Sequence, residues 1–354
     1  MRANSKSASQ HERYASTRTR SVGKMRRVVC RTLGTDATLE MEDVSSVMPG
    51  SGDLQVAVYT SSINRNEALK MRGNHHEQPA LPYTPGSDVA GVVASVGAGV
   101  SNFVAGDRVL GVTHTLTGGW AEEAIVEASW AVKLPNAISF VDAATYTSSY
   151  ITAYDALVHA ADTKATDTVL VTGAGGGVGL AAVQLARCLG ATVIAVAGGD
   201  ERLAAARAAG AHHVLDRRAV SVRDSVKALT SGKGADVAVE VIGGDTLLEV
   251  VRCMAWRGRL VVAGFASGEI PNIRSIIVLL KAFDLRGANL YRTLINCPGR
   301  FAHMAEQIFC WQKNGQIRPQ IARCFRLDDA NQAVHYAEQG NHRGKVIMKV
   351  RESA

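Results

Sequence analysis

The chain has 354 residues, of which 47% are apolar, 20% charged and only 5% aromatic, with 34 glycines. That length allows two domains with a core each, the Gly- and Ala-rich balance suits close-packed α/β layers better than an all-β sandwich, and no apolar run is long enough to cross a bilayer. The formal charge of +7 invites a nucleic-acid reading, but residues 1–27 carry eight basic side chains and one acid and so hold the whole excess; the remaining body has 31 of each sign and is electrically balanced. Residues 1–24 are Ser-, Thr- and Arg-rich and are expected to form a disordered basic tail. They resemble an organellar transit peptide, or else an upstream extension before a natural start at Met25-Arg26-Arg27-Val28-Val29; the lack of an apolar face favours the second reading. The six cysteines (Cys30, Cys188, Cys253, Cys297, Cys310, Cys324) are scattered without C-x-x-C spacing. They read as reduced structural thiols of an intracellular, cytoplasmic protein.

From Val28 to about Ala131, short alternating strands are broken by Gly, Pro and Asp, as in Leu54–Tyr59, Asp88–Val93 and Arg108–Gly111. This pattern predicts a compact β-rich domain. Near Asp167 the rhythm changes. Strand Val169–Thr172, a glycine run, a helix Leu180–Leu189, a strand Ala191–Val196 and a helix around Leu203–Ala208 follow one another, and then come strands His213–Leu215, Val237–Val241 and Leu260–Gly264. Strand–helix alternation at this spacing predicts a doubly wound parallel sheet. After about Tyr291 the chain offers a helix Phe301–Asn314 and two short end pieces, expected to rejoin the first domain.

The segment that carries chemistry is Gly173-Ala174-Gly175-Gly176-Gly177-Val178-Gly179. Between a parallel strand and a helix, such a turn lets backbone approach a pyrophosphate while the helix N-terminus supplies unpaired N–H groups. Gly176 is expected to allow the close approach and Gly179 the tight helix–strand packing. Ala174 stands where G-x-G-x-x-G has its first glycine, so the strict fingerprint is not met, and it is the flanking strand and helix that raise the turn above a plain glycine loop. Eighteen residues beyond Gly179, at the end of the second strand, Ala197-Gly198-Gly199 offers no carboxylate for a ribose 2′-hydroxyl. Small residues there leave room for a 2′-phosphate, and Arg202 is positioned to pair with it, which favours NADPH. Asp200 and Glu201 in the same loop argue the other way, and Arg202 also suits a plain helix start.

At this point several motifs fall together in order. Ser62-Ile63-Asn64-Arg65-Asn66-Glu67, Leu81–Gly91 (LPYTPGSDVAG), Gly106-Asp107-Arg108-Val109, Tyr150-Ile151-Thr152-Ala153-Tyr154, the glycine turn, Gly264-Phe265-Ala266-Ser267-Gly268 and the closing Gly344-Lys345-Val346 resemble the zinc-independent quinone oxidoreductases of the medium-chain dehydrogenase/reductase superfamily. The resemblance runs from about Met25 to Val350. It implies an α/β architecture: a GroES-like β-rich catalytic domain from both chain ends (25–153 and 291–354) plus a doubly wound Rossmann dinucleotide-binding domain (154–290). It also implies an active site in the cleft and homodimers joined through the edges of the Rossmann sheets. Zinc-dependent relatives carry Cys and Gly-His-Glu where this chain has Asn64 and Gly86-Ser87-Asp88, and four structural cysteines where it has Thr113–Trp120. Neither thiolate nor imidazole sets are present. The pairs His75-His76 and His212-His213 lack nearby thiols, so no metal is expected.

Without a Lewis acid the expected acceptors are those whose own electronics take hydride, quinones or enones, with the protein supplying orientation and hydrogen-bond donors. By resemblance, Asn64 donates to an acceptor carbonyl, Thr152 contacts the nicotinamide end and Tyr150 lines the same cleft. Their plainer alternatives are a turn cap for Asn64 and hinge packing for the other two. Gly173, Ala174, Gly176, Gly177, Val178, Gly179, Gly198, Arg202, Gly264 and Phe265 are the expected cofactor residues; Phe265 also suits a core aromatic. Leu69 and His75 stand where relatives often place a tyrosine, which leaves the substrate class open. Two rival readings share the fold: an enoyl-thioester or enone C=C reductase, and a non-catalytic NADPH-binding protein. A nucleic-acid role would rest on the basic tail alone, and neither nucleic acid nor membrane is expected as a partner.

Overall fold

The computed structural model describes residues 23–352 except His76 and Pro298; the expected basic tail lies, but for its last two residues, outside the described residues. A hairpin of β1 (Lys24–Cys30) and β2 (Leu39–Ser45) precedes four further strands, β3 (Asp53–Ile63), β4 (Asp88–Val96), β5 (Arg108–Thr113) and β6 (Glu123–Lys133). All pair antiparallel, and β3 pairs with both β4 and β6. The four strands therefore curl back on themselves around Leu54, Val56, Val58, Val89, Val109 and Val126. These apolar residues recur at every second position, as a one-sided sheet requires.

The second unit is a six-stranded sheet of β7 (Thr168–Val171), β8 (Thr192–Ala197), β9 (His213–Asp216), β10 (Ala235–Glu240), β11 (Met254–Val262) and β12 (Asp284–Gly287), every pair parallel, in the order β12-β11-β10-β7-β8-β9. Its strands read as continuous apolar runs because both faces are covered. Val169, Val171, Val193 and Val239 serve one core, while Leu170, Ile194, Ala238 and Leu260 serve the other. Strand order reverses between β7 and β10, which opens a crevice beyond their C-terminal ends. β11 starts at Met254 rather than at the expected Leu260, since a register shift against β10 lets an irregular lead-in join the strand.

The chain then returns. Helix Arg300–Lys313 packs on β6 and on the helical stretch 146–160. β13 (Ile321–Arg326) and β14 (Lys345–Lys349) follow, and β14 pairs antiparallel with β3, placing Val346 opposite Ile63. This completes a second six-stranded sheet, β13-β14-β3-β4-β5-β6, so the end of the chain does rejoin its first half. The stretch 146–160 is one continuous helix, wound as π-helix over Tyr146–Ile151 and Asp155–Ala160 around a short α segment Thr152–Tyr154. Its Tyr150, Ile151, Ala153 and Leu157 share one core with Leu110 and Val132 of the first sheet and Val169 and Val239 of the second.

The sheet's N-terminal side is closed by Arg259 on β11. Its guanidinium meets Asp167 at 2.6 Å, with both side chains largely buried, and its Nε donates to the Ala161 carbonyl at 2.9 Å. Removing the cation leaves a buried carboxylate unpaired, so Arg259→Met is expected to lower stability by about 3 kcal/mol, read as a shifted midpoint in urea unfolding with an unchanged m value.

Candidate active site

β7 ends at Val171 and the chain turns through Gly173, which has φ of +59°. Ala174 is buried and its amide donates to the Val196 carbonyl at 3.1 Å, while Gly176 donates back to Gly173 at 2.9 Å. A helix runs over Gly177–Cys188, beginning at Gly177 rather than at the expected Leu180, and no side chain caps it. Its first helical bond runs from Leu180 N to Gly176 O, so the amides of Gly177, Val178 and Gly179 are the terminal donors that an anion would use. A Cβ on Gly179 would stand 2.2 Å from the Gly173 carbonyl oxygen. Gly179 thus packs on the turn's own backbone. Glu240, missed in the sequence reading, anchors the turn from the end of β10. Its buried carboxylate accepts from Thr172 Oγ1 at 3.0 Å, Ile242 N at 2.8 Å and Gly243 N at 3.0 Å. Burial raises its pKa, and these bonds partly offset the rise.

At the end of β8, Gly198 and Gly199 form a bare floor, and the guanidinium over it belongs to Arg218. A Cβ on Gly198 would lie 2.9 Å from Arg218 Nε, and one on Gly199 would lie 3.3 Å from its Nη1. Arg202 is elsewhere. Its stem fills the space over Gly175, and its Nη2 donates to the Gly340 carbonyl. Sequence reasoning missed Arg218, whose place follows from sheet order: β9 neighbours β8, so residues just past β9 stand beside those just past β8.

On the opposite wall, the half-buried side chains of Asn64, Ser87 and Ser148 stand in front of a fully buried layer of Ser62, Glu67, Asp88 and Lys345. Asn64 Nδ2 donates to Ser62 Oγ at 3.0 Å and lies 3.4 Å from Ser87 Oγ. Ser62 Oγ donates to Asp88 Oδ2 at 2.7 Å, and its amide donates to Oδ1 at 2.9 Å. Lys345 Nζ donates to Asn64 Oδ1 and, at 2.7 Å, to Ser148 Oγ. Burial pulls the Lys345 pKa down to about 8 against the opposing pull of Asp88 and Glu67; burial likewise raises both carboxyls. Gly344 ties this wall to the glycine turn, its amide donating to the Gly175 carbonyl at 3.2 Å.

The remaining expected residues divide. Thr152 is half-buried in the α segment that packs on helix Gly177–Cys188. Tyr150 is buried and lines a small cavity with Gly177, Gly344 and Lys345; its hydroxyl donates to Gln184 Oε1 at 3.2 Å, Gln184 also binds both backbone groups of Arg318, and burial raises the phenol's pKa. Gly264 and Phe265 follow β11, and the Phe265 ring is 2.9 Å from where a Gly243 Cβ would be, beside the turn after β10. Beyond them, a groove of about 490 Å³ runs between helix Arg65–Met71 and the loop at 267–269, lined by Arg65, Leu69, Arg72, Ser267, Glu269 and Glu338 among others.

Two family models match the chain: an alcohol dehydrogenase GroES-like domain over residues 50–136 and a zinc-binding dehydrogenase domain over 177–309. A quinone oxidoreductase-like protein 2 homolog of Nematostella vectensis is 37% identical over 329 residues, spanning 92% of this chain and 89% of its own length. Human quinone oxidoreductase is 33% identical over 307 residues, spanning 86% of this chain and 92% of its own. The chain belongs to the quinone oxidoreductase family of the medium-chain dehydrogenases/reductases. The crystal structure of Escherichia coli quinone oxidoreductase complexed with NADPH has a TM-score of 0.85 at 27% identity, covering 92% of this chain and all of that one. The two-domain α/β fold of GroES-like and Rossmann units is thus the family's.

Although one matching family model carries zinc binding in its description, the donor set here is Asn64, Ser87 and Asp88. Among the described residues, no three His, Cys, Asp or Glu side chains converge on a point, and His212 Nδ1 is engaged by the Val193 amide at 2.8 Å. No described helix is long and apolar enough to cross a membrane. The family's glycine turn depends most on Gly179. Because its Cβ would meet backbone rather than a movable side chain, Gly179→Ala is expected to destabilise the protein by about 1–3 kcal/mol, measured by thermal unfolding, whereas a Cβ on Gly176 would make only ordinary contact, at 3.5 Å.

Proposed function

We propose that the protein is an NADPH-dependent, metal-free reductase that delivers hydride to a quinone or a similar conjugated carbonyl. The observation that carries this reading is the meeting, at one crevice, of an uncapped glycine-turn helix and a half-buried amide, Asn64, backed by a buried cation. The residues fit the cofactor. The amides of Gly177, Val178 and Gly179 face no side-chain cap and suit a diphosphate, the Gly198-Gly199 floor under Arg218 suits a 2′-phosphate, and Gly264-Phe265 flank the strand ends where open α/β sheets hold ligands. NADPH, when bound, supplies the hydride. The chain's own contribution is to orient both reactants and to stabilise oxygen charge. Asn64 Nδ2 is the donor to the acceptor's carbonyl oxygen. Thr152 belongs to the nicotinamide end. Tyr150 acts through Gln184 by holding the helix Gly177–Cys188 against the 146–160 stretch.

Charge in the outer groove favours a small neutral acceptor over a carrier-bound thioester. Arg65 and Arg72 are matched by Glu269 and Glu338, with Arg72 paired to Glu338 at 2.8 Å, so the groove offers no surplus cation for a phosphorylated arm. We also infer a homodimer built on the β12 edge. Around that unpaired edge, Leu279 and Leu280 are each 74% exposed and Trp256, Ile270 and Leu285 also face outward, an apolar patch typical of an interface. A cytoplasmic location is supported by six cysteines all present as free thiols.

NADPH oxidation assayed against a panel of quinones, enones and enoyl thioesters tests the reading. Turnover with quinones or simple enones is expected; turnover with enoyl thioesters alone would make the protein a C=C reductase, and tight NADPH binding without any turnover would make it a binding protein. Arg218→Ala is expected to raise KM for NADPH about 10-fold or more, the worth of a charge-assisted hydrogen bond. KM for NADH should be unchanged, and steady-state kinetics with each nucleotide checks this.

A further inference from the structure

We infer that Lys345 is a positioning residue for the reaction: it locks the Asn64 amide so that Nδ2, not Oδ1, faces the acceptor's oxygen. The inference rests on the function proposed above and assigns a role to a side chain that does not itself touch the reactants. An asparagine amide is ambiguous, since either end can face a ligand. A lysine ammonium resolves the ambiguity because it has three donors and no acceptor. With Lys345 Nζ donating to Asn64, the oxygen must lie on the lysine side and Nδ2 on the other. One side of Nδ2 is turned to Ser62 Oγ at 3.0 Å and the Asp88 carboxylate behind it, while the other side meets the Ser87 hydroxyl at 3.4 Å, the outer limit of a hydrogen bond. The hydrogen on that other side is the one available to an incoming carbonyl.

The buried layer keeps the lock in place. Lys345 is itself held by Ser148 Oγ at 2.7 Å, and Ser148 lies 3.4 Å from Ser62 Oγ, which donates to Asp88. The ammonium and the Asp88 carboxylate are thus joined through hydroxyls and neutralise each other in a water-poor layer. Lys345 also packs against the nucleotide turn, its Cδ lying 3.4 Å from where a Gly177 Cβ would be. The titratable groups facing it are Asp88 on β4, Glu67 on helix Arg65–Met71 and His342 in the loop before β14.

The test is a double-mutant cycle on the full-length protein with NADPH and the best quinone from the panel. Lys345→Met is expected to lower kcat about 10-fold or more, with KM for NADPH within about 3-fold of the parent, because only the transition-state donor is lost. Combined with Asn64→Ala it should cost nothing beyond Asn64→Ala alone, whereas a residue serving only stability would give additive losses. Should Lys345→Met fail to fold with Asp88 unpaired, the charge-balanced Asp88→Asn/Lys345→Met pair is put through the same cycle. A second readout needs no acceptor: in asparagine-labelled protein, the Asn64 side-chain amide signal, identified by its loss in Asn64→Ala, should exchange slowly with solvent in the parent and at least 10-fold faster without Lys345. Slow exchange lost on mutation, in a protein that turns over no acceptor, sinks the proposed function but leaves the lock standing. Turnover with additive losses and an unchanged amide signal overturns the lock.

Discussion

The Gly344 amide donates to the Gly175 carbonyl, and from that bond β14 runs directly into the sheet that carries Asn64. Gly344 has φ of +80°, and a Cβ there would meet the Gln320 carbonyl oxygen at 2.2 Å, so the crossing can be made only by glycine. The next residue is Lys345. The nucleotide turn and the acceptor-side amide are thereby one residue apart in the C-terminal strand, although they are more than a hundred residues apart in the rest of the chain. Arg202 on Gly340 and Arg343 against Glu201 at 3.6 Å flank the same crossing. Sliding one sheet past the other would break all three contacts.

Behind the cleft wall the protein accepts an arrangement that a stability-only design would avoid. The ammonium of Lys345 and the carboxyls of Glu67 and Asp88 are almost completely buried in one layer, with the buried Lys70 acting on Glu67. Asp88 is served by Ser62 twice and is compensated by Lys345. Glu67 is opposed chiefly by the Lys70 charge; neither of its oxygens meets a hydrogen-bond partner of good geometry among the described residues, and burial raises its pKa. Polar groups held this deep are expensive unless connected, and such local rule-breaking is found where a structure has been shaped by its chemistry.

The two kinds of sheet were readable from spacing, because parallel strands buried on both faces and one-sided antiparallel strands leave different apolar patterns, while the GroES-like domain built from both chain ends came from resemblance. The glycine turn was readable for a related reason, since Gly173, Gly176 and Gly179 sit between an apolar strand and an Ala-rich helix. Arg218 was not, because its place over Gly198 depends on β9 lying beside β8, a fact about sheet order and not about local pattern. Lys345 was seen only as part of a closing motif. A lysine heading an apolar strand looks like a solvated terminus until β14 is found to pair with β3. Tyr150 was placed on the cleft by resemblance alone, and the segment Tyr146–Ile151 winds as π-helix. Wider winding shifts the phase of each following side chain and delivers the phenol to Gln184.

In the proposed reaction this chain would face the same electrostatic demand as zinc-dependent relatives, the negative charge that grows on the acceptor's oxygen as hydride arrives. A metal meets it with a divalent charge in direct contact. The contact group proposed here is a neutral amide, and a single hydrogen bond from an amide in water would do little, because water would compete for both partners. Two features change that. The amide stands at the edge of a buried layer, where electrostatic interactions are less screened, and its orientation is already set, so no reorganisation is required when charge appears. The ammonium on the far side of the amide also withdraws electron density from Oδ1 and so strengthens Nδ2–H as a donor. Charge is passed through the amide rather than applied directly, which suits an acceptor whose conjugation already spreads its own negative charge and fails one, such as a simple ketone, that concentrates it on a single atom.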